Sequence, residues 1–167
     1  MYKRVLISAA ALLILFSACS KPAASKEDIA EKYNGDYEAT AECDFFGEKL
    51  VIEISKSGGN TVFSVLSPEV LEGVFVRCGG ENKILYGDME TEAEIGALPE
   101  KSPLSELLRL LGSLSAPGSF EIAESDEEVI VKGADFSAVL DGDTLLPKSA
   151  AFDKTGDEFV FREGLFK

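Results

Sequence analysis

The stretch KSPLSELLRLLGSL, residues 101–114, interrupts a chain that otherwise reads as strands, and its place between them decides the fold. Ser102 is positioned to cap a helix, Pro103 suits the first helical position, and Gly112 marks fraying or the end. Leu104, Leu107, Leu108 and Leu111 fall at helical spacing on one stripe, which Leu114 continues if the helix passes Gly112. A helix with so apolar a stripe has to bury it against something.

Upstream of this helix the period is two. Tyr37, Ala39, Ala41 and Cys43 alternate with Asp36, Glu38, Thr40 and Glu42, which is the pattern of a half-buried strand. FFGEK (45–49) turns the chain, Leu50, Ile52 and Ile54 alternate with Glu53 and Ser55, and SGGN (57–60) turns it again into TVFSVLS (61–67), giving an antiparallel meander. PEVLEG leads into GVFVRC, GGEN into KILYG, and the weaker METEAEIG precedes the helix. Strands resume after it in SFEIAES, EEVIVKGA, FSAVLDG, PKSAAFD and DEFVFREG, with DKTGDE as the turn between the last two.

The fold class is therefore mainly β (α+β). Nine or ten strands form one large curved antiparallel sheet, and the leucine-rich helix packs in its concave face, because a sheet that long curls and its apolar face needs a cover. The face is read as Ala39, Ala41, Leu50, Ile52, Ile54, Phe63, Val65, Val131, Phe136, Ala138, Phe159 and Phe161, with Leu104, Leu107, Leu108 and Leu111 above it. Two roles stay open for the helix: fixed core, or a lid over a cavity that opens for a ligand.

The N-terminus carries a different signal. Lys3 and Arg4 precede a run from Val5 to Phe16 broken only by Ser8. A bilayer span needs roughly 20 residues, so this shorter run reads as the apolar part of a signal peptide covering residues 1–18. Phe16-Ser17-Ala18-Cys19 resembles the lipobox of bacterial lipoproteins, with Phe16 where that motif prefers Leu. The resemblance implies cleavage before Cys19 and covalent diacylglycerol on its thiol, a membrane anchor on the extracytoplasmic face made firm by two or more acyl chains. The alternatives are a plain secretory signal that abuts a cysteine and an uncleaved membrane helix. Residues 19–34 then hold the lipidated cysteine, a tether and a short helix from a Ser25 cap with Asp28 to about Tyr33, and residues 35–167 form the domain.

Charge and composition exclude several function classes. The formal net charge is −14, and loss of residues 1–18 removes Lys3 and Arg4 and no acid, giving −16. Such a surface repels nucleic acid and anionic headgroups, so membrane attachment falls to the lipid and not to a basic patch. With no histidine in the chain, Ser-His and Cys-His nucleophile pairs and His-containing metal sites are ruled out, and no catalytic residue or cofactor is assigned. Asp141 and Asp143 in LDGDTL are read first as a turn, with acid-base work or Ca²⁺ binding as the alternative; the twelve-position EF-hand pattern is missing. Cys43 and Cys78 would sit at opposite ends of the sheet three strand spacings apart, about 14 Å, whereas a disulfide tolerates roughly 7 Å between Cα atoms. Two buried free thiols are expected there, unless strong curling brings them together.

The segment FSVLSPEVLEGVFVRCGGENKILYGDMETEAEIGALPEKSPLSELLRLL resembles the part of LolA-like proteins in which a strand runs into Pro-x-x-Leu-x-Gly, then a hairpin, then a cavity-filling helix; Pro68, Leu71 and Gly73 carry the motif. LPKSAAFDKTGDEFVF is similar to the closing hairpin of the same superfamily. That superfamily includes periplasmic lipoprotein carriers, the outer-membrane lipoprotein receptor, RseB-type regulators and uncharacterised Gram-positive lipoproteins, the last being the members expected nearest. The resemblance implies an open half-barrel and a non-enzymatic binding module whose concave apolar face takes a lipid-like, acylated or peptide ligand. An envelope protein-protein interaction or regulatory scaffold, with a filled core and no small ligand, is the alternative. Arg77 and Arg109 match no family motif, so no functional residue carries over.

Overall fold

The computed structural model describes residues 24–80, 82–92, 98–99, 101–124 and 127–167; the expected signal peptide, Cys19 and the first residues of the tether lie outside them. Helix α1 (Lys26–Asn34) opens the described chain. Strands β1 (Tyr37–Phe45), β2 (Glu48–Ser57), β3 (Asn60–Ser67), β4 (Val74–Cys78), β5 (Lys83–Tyr86) and β6 (Met89–Glu92) precede helix α2 (Pro103–Leu114). Strands β7 (Glu121–Glu124), β8 (Glu128–Lys132), β9 (Phe136–Asp141), β10 (Pro147–Phe152) and β11 (Glu158–Phe166) follow it.

All eleven strands form one antiparallel sheet in the order β6-β5-β4-β3-β2-β1-β11-β10-β9-β8-β7. Two meanders thus meet where β1 pairs with β11, placing the first and last strands at the centre of the sheet. The outermost strands β6 and β7 do not pair with each other, so the sheet is an open half-barrel. On a flat sheet these eleven strands would span roughly 48 Å, while α2 is only about 18 Å long. The chain leaves one edge, passes through α2 and re-enters at the other.

The count of eleven corrects the expected nine or ten. The extra strand is β6, four residues that are all exposed and so lack alternation; its ladder with β5 makes it a strand. Elsewhere alternation carries directly into burial. Val76, Phe63, Ile54 and Ala39 lie in one row across β4, β3, β2 and β1, and Val65, Ile52, Ala41 and Phe161 form the next. Phe159, Ala150, Ala138, Val131 and Ile122 continue the same face from β11 to β7. The β1–β11 ladder shifts register between Thr40 and Ala41, with Arg162 as the extra residue on β11, a bulge that adds local twist.

Helix α1 belongs to the same packing. Ser25 and Asp28 form a reciprocal capping box, and Ile29 and Tyr33 are fully buried in the core. The Tyr33 hydroxyl donates to the Leu145 carbonyl, while the Tyr33 carbonyl accepts from Lys56 Nζ and Ser115 Oγ, tying α1 to the sheet and to the end of α2.

Candidate functional site

Helix α2 and the concave face beneath it form the candidate site. Ser102 caps the helix by accepting from the Ser105 N–H, Pro103 begins it, and it runs past Gly112 to Leu114. Its buried stripe is Pro103, Glu106, Leu107, Leu110, Leu111 and Leu114. This rotates the expected stripe: Leu107 and Leu111 are on it, Leu104 and Leu108 are half-buried at its side, and Leu110 joins it. The sheet residues Ala39, Ala41, Leu50, Ile52, Ile54, Phe63, Val65, Val131, Phe136, Ala138, Phe159 and Phe161 are all buried in one cluster with those leucines. In this structure the leucine stripe of α2 packs against the concave face.

Glu106 is the exception on this apolar stripe, and the sequence reading missed it. Its side chain is completely inaccessible, and the Thr155 hydroxyl donates to its Oε1 at 2.5 Å. Among the described residues no donor reaches its Oε2, and the Asp157 carboxylate lies close to the group. Burial, followed by Asp157, drives the Glu106 pKa upward, against the opposing pull of Thr155 and Arg109. Arg109 lies one helical turn on, 3.9 Å from Glu106 Oε1, but is engaged more closely by Asp135 at 2.8 Å; Lys154 also reaches Asp135, at 3.3 Å. The guanidinium also lies over the Phe152 ring. These contacts tie α2 to the β8–β9 and β10–β11 turns. The readable clue was helical spacing: Glu106 falls between Pro103 and Leu110 on the buried stripe.

The remaining sequence features take structural roles. Asp141 accepts through Oδ1 from the Asp143 N–H, the Thr144 N–H and the Thr144 hydroxyl, which closes the DGD turn and lowers its pKa. Among the described residues no group of three or more acidic, Cys or His side chains is arranged to hold a metal. Cys43 and Cys78 are free and buried. The Cys78 row runs through Thr61 and Lys56 to Tyr37, six residues along β1 from Cys43, or about 20 Å. Pro68, Leu71 and Gly73 turn β3 into β4: the Leu71 N–H donates to the Pro68 carbonyl, Leu71 packs on the core, and Gly73 takes φ +83°.

Surface grooves also lie among the described residues. One of about 330 Å³ is lined by Cys43, Lys49, Val160 and Arg162 with three acids, one of about 230 Å³ lies over the β1–β11 bulge, and one of about 440 Å³ lies beside the end of α1. Among the described residues no helix is long and apolar enough to cross a membrane.

No family model and no curated protein matches the chain. A solved structure of an uncharacterised conserved protein from Thermus thermophilus is similar at 11% identity, covering 83% of each chain with a TM-score of 0.57. That likeness shows the fold. Similar at lower scores are a LolA superfamily protein from Nitrosomonas europaea (10% identity, 87% of this chain and 94% of that one, TM-score 0.44) and a chain of the MucA/MucB complex of Pseudomonas aeruginosa (18%, 82% and 54%, TM-score 0.46). The expected nearness to Gram-positive lipoproteins finds no support among them.

Proposed function

We propose that the protein is a non-enzymatic binding module, anchored by diacylglycerol on Cys19 to the extracytoplasmic face of the cell membrane, whose concave face takes a lipid-like, acylated or peptide ligand when α2 withdraws. The supporting observation is that one twelve-residue helix covers an apolar face drawn from most of the sheet. Its backbone hydrogen bonds are internal, so it can leave without breaking a single rung of the β-ladder. What its departure uncovers is apolar surface, the material of ligand pockets. A direct test adds a fluorescent fatty acid or acylated peptide to the protein. Saturable binding that Leu107→Asp abolishes in a still folded protein supports the lid; a folded wild type that binds neither probe counts against it.

One observation favours the scaffold reading instead: Leu107, Leu110 and Leu114 are fully buried. On that reading the acidic exterior holds another envelope protein, and Leu107→Asp unfolds the domain. The anchor is tested separately. Cys19→Ala abolishes incorporation of labelled fatty acid and leaves the protein extractable without detergent; retained label would refute lipidation at this residue.

A further inference from the structure

Glu106 is placed as a protonated acid would be. An ionised carboxylate needs donors at both oxygens, and burial without them is costly. Here Oε1 has the Thr155 hydroxyl and Oε2 has none. The group facing Glu106 from the β10–β11 turn is another carboxylate, Asp157, whose own N–H is bound to Thr155 Oγ1 at 3.2 Å. Cys43, from the end of β1, also faces this pair, and the negative charge of Asp157 and Glu106 adds to burial in pushing its thiol up to about 12. It supplies neither charge nor a strong donor. The cations nearby are committed elsewhere: Arg109 is nearer Asp135, and Lys154 is bound to Asp135 as well.

We propose that Glu106 holds a proton in the folded protein and forms a pH-set latch on helix α2. With the proton present, Glu106 donates to Asp157 and the helix is held to the β10–β11 turn. When it leaves to water, the fully buried Glu106 is left as a carboxylate with no donor at Oε2 beside the half-buried Asp157, and the helix is released. Because α2 covers the concave face, the proton also regulates access to that face; this consequence rests on the lid reading above, whereas the latch itself does not. Ionising a carboxyl that is buried with one oxygen unpaired is costly, which is the physical basis of the switch.

The test is hydrogen-deuterium exchange on the full lipidated chain in nanodiscs without added ligand, so that the latch is judged apart from ligand binding. Protection of α2 amides is read relative to β2 from about pH 4.5 to about pH 8, and is expected to fall by up to tenfold per pH unit once Glu106 ionises, while β2 stays unchanged. Glu106→Gln, a permanent neutral donor, is expected to flatten the profile with α2 protected throughout. Asp157→Asn flattens it too, since the carboxamide donates to an ionised Glu106. A flat wild-type profile, or a Glu106→Gln profile with the wild-type slope, overturns the proposal.

Discussion

The Thr155 hydroxyl donates to Glu106 Oε1 across 49 residues of sequence, joining the first turns of α2 to the β10–β11 turn. Helix α2 is thus fixed by two kinds of contact: a leucine stripe that packs on the sheet, and a polar cluster at its N-terminal half. The first sets how much stability the helix contributes. The second makes that contribution depend on pH.

Thr155→Val removes the donor and leaves a buried carboxyl oxygen unpaired, and is expected to cost about 1–3 kcal/mol near neutral pH. The sign follows from the Glu106 shift. Its pKa is raised in the folded state, so its contribution is fully present below the ordinary value of 4.5 and is lost as pH rises through the folded value. Thr155 opposes that loss by bonding the ionised form. Urea unfolding should therefore show a larger cost of Thr155→Val at neutral than at acidic pH; a cost that grows on acidification would contradict this assignment.

Leu110→Ala deletes a fully buried side chain from the centre of the α2 stripe and is expected to destabilise by about 2–5 kcal/mol. Leu104→Ala, at the half-buried edge, should cost markedly less. Equal midpoints in urea for the two variants would show that the stripe is wrongly oriented.

Phe46 sits at the tip of the β1–β2 hairpin, 92% exposed and at φ 56°, a left-handed conformation that a bulky residue adopts at a cost. The Gly47 N–H closes the turn onto Asp44 Oδ1. Phe46→Asn keeps the turn and suits its geometry, and is expected to raise stability by about 1 kcal/mol. A thermal midpoint that falls would mean that the ring, which meets Phe45 edge-on, contributes more packing than its exposure indicates.

Cys43 is buried and its thiol is pushed up to about 12, mainly by burial; Cys78 is shifted upward for the same reason. Neither should react with a thiol reagent at pH 8 in the native protein, and both should react on unfolding. Intact mass after mild oxidation should show no internal bridge.

Much of the fold was legible because burial on one face of a sheet writes itself as alternation. The rows through Ala39, Ala41, Ile52 and Ile54 needed only period two, and Ser25 and Ser102 announced both helix starts through their cap chemistry. What stayed hidden depends on contacts distant in sequence. Strand β6 has no buried side to alternate, so only its pairing with β5 defines it. Glu106 in the first turn of a helix reads as an acid favoured by the helix dipole; spacing alone hints at its place on the buried stripe, but its partner Thr155 lies 49 residues away in the β10–β11 turn. The exact face of α2 escaped for a related reason: with leucines at 104, 107, 108, 110, 111 and 114, several stripes are apolar, and the sheet selects among them.

Native mass spectrometry with lipid extraction, on residues 20–167 secreted without Cys19, tests most directly whether the concave face is a binding site. The expected result is a discrete added mass that extracts as lipid, or one that appears on adding an acylated peptide and is lost with Leu107→Asp. A clean apo mass that no lipid or acylated peptide changes would contradict the binding module and leave α2 as the fixed core of an interaction protein.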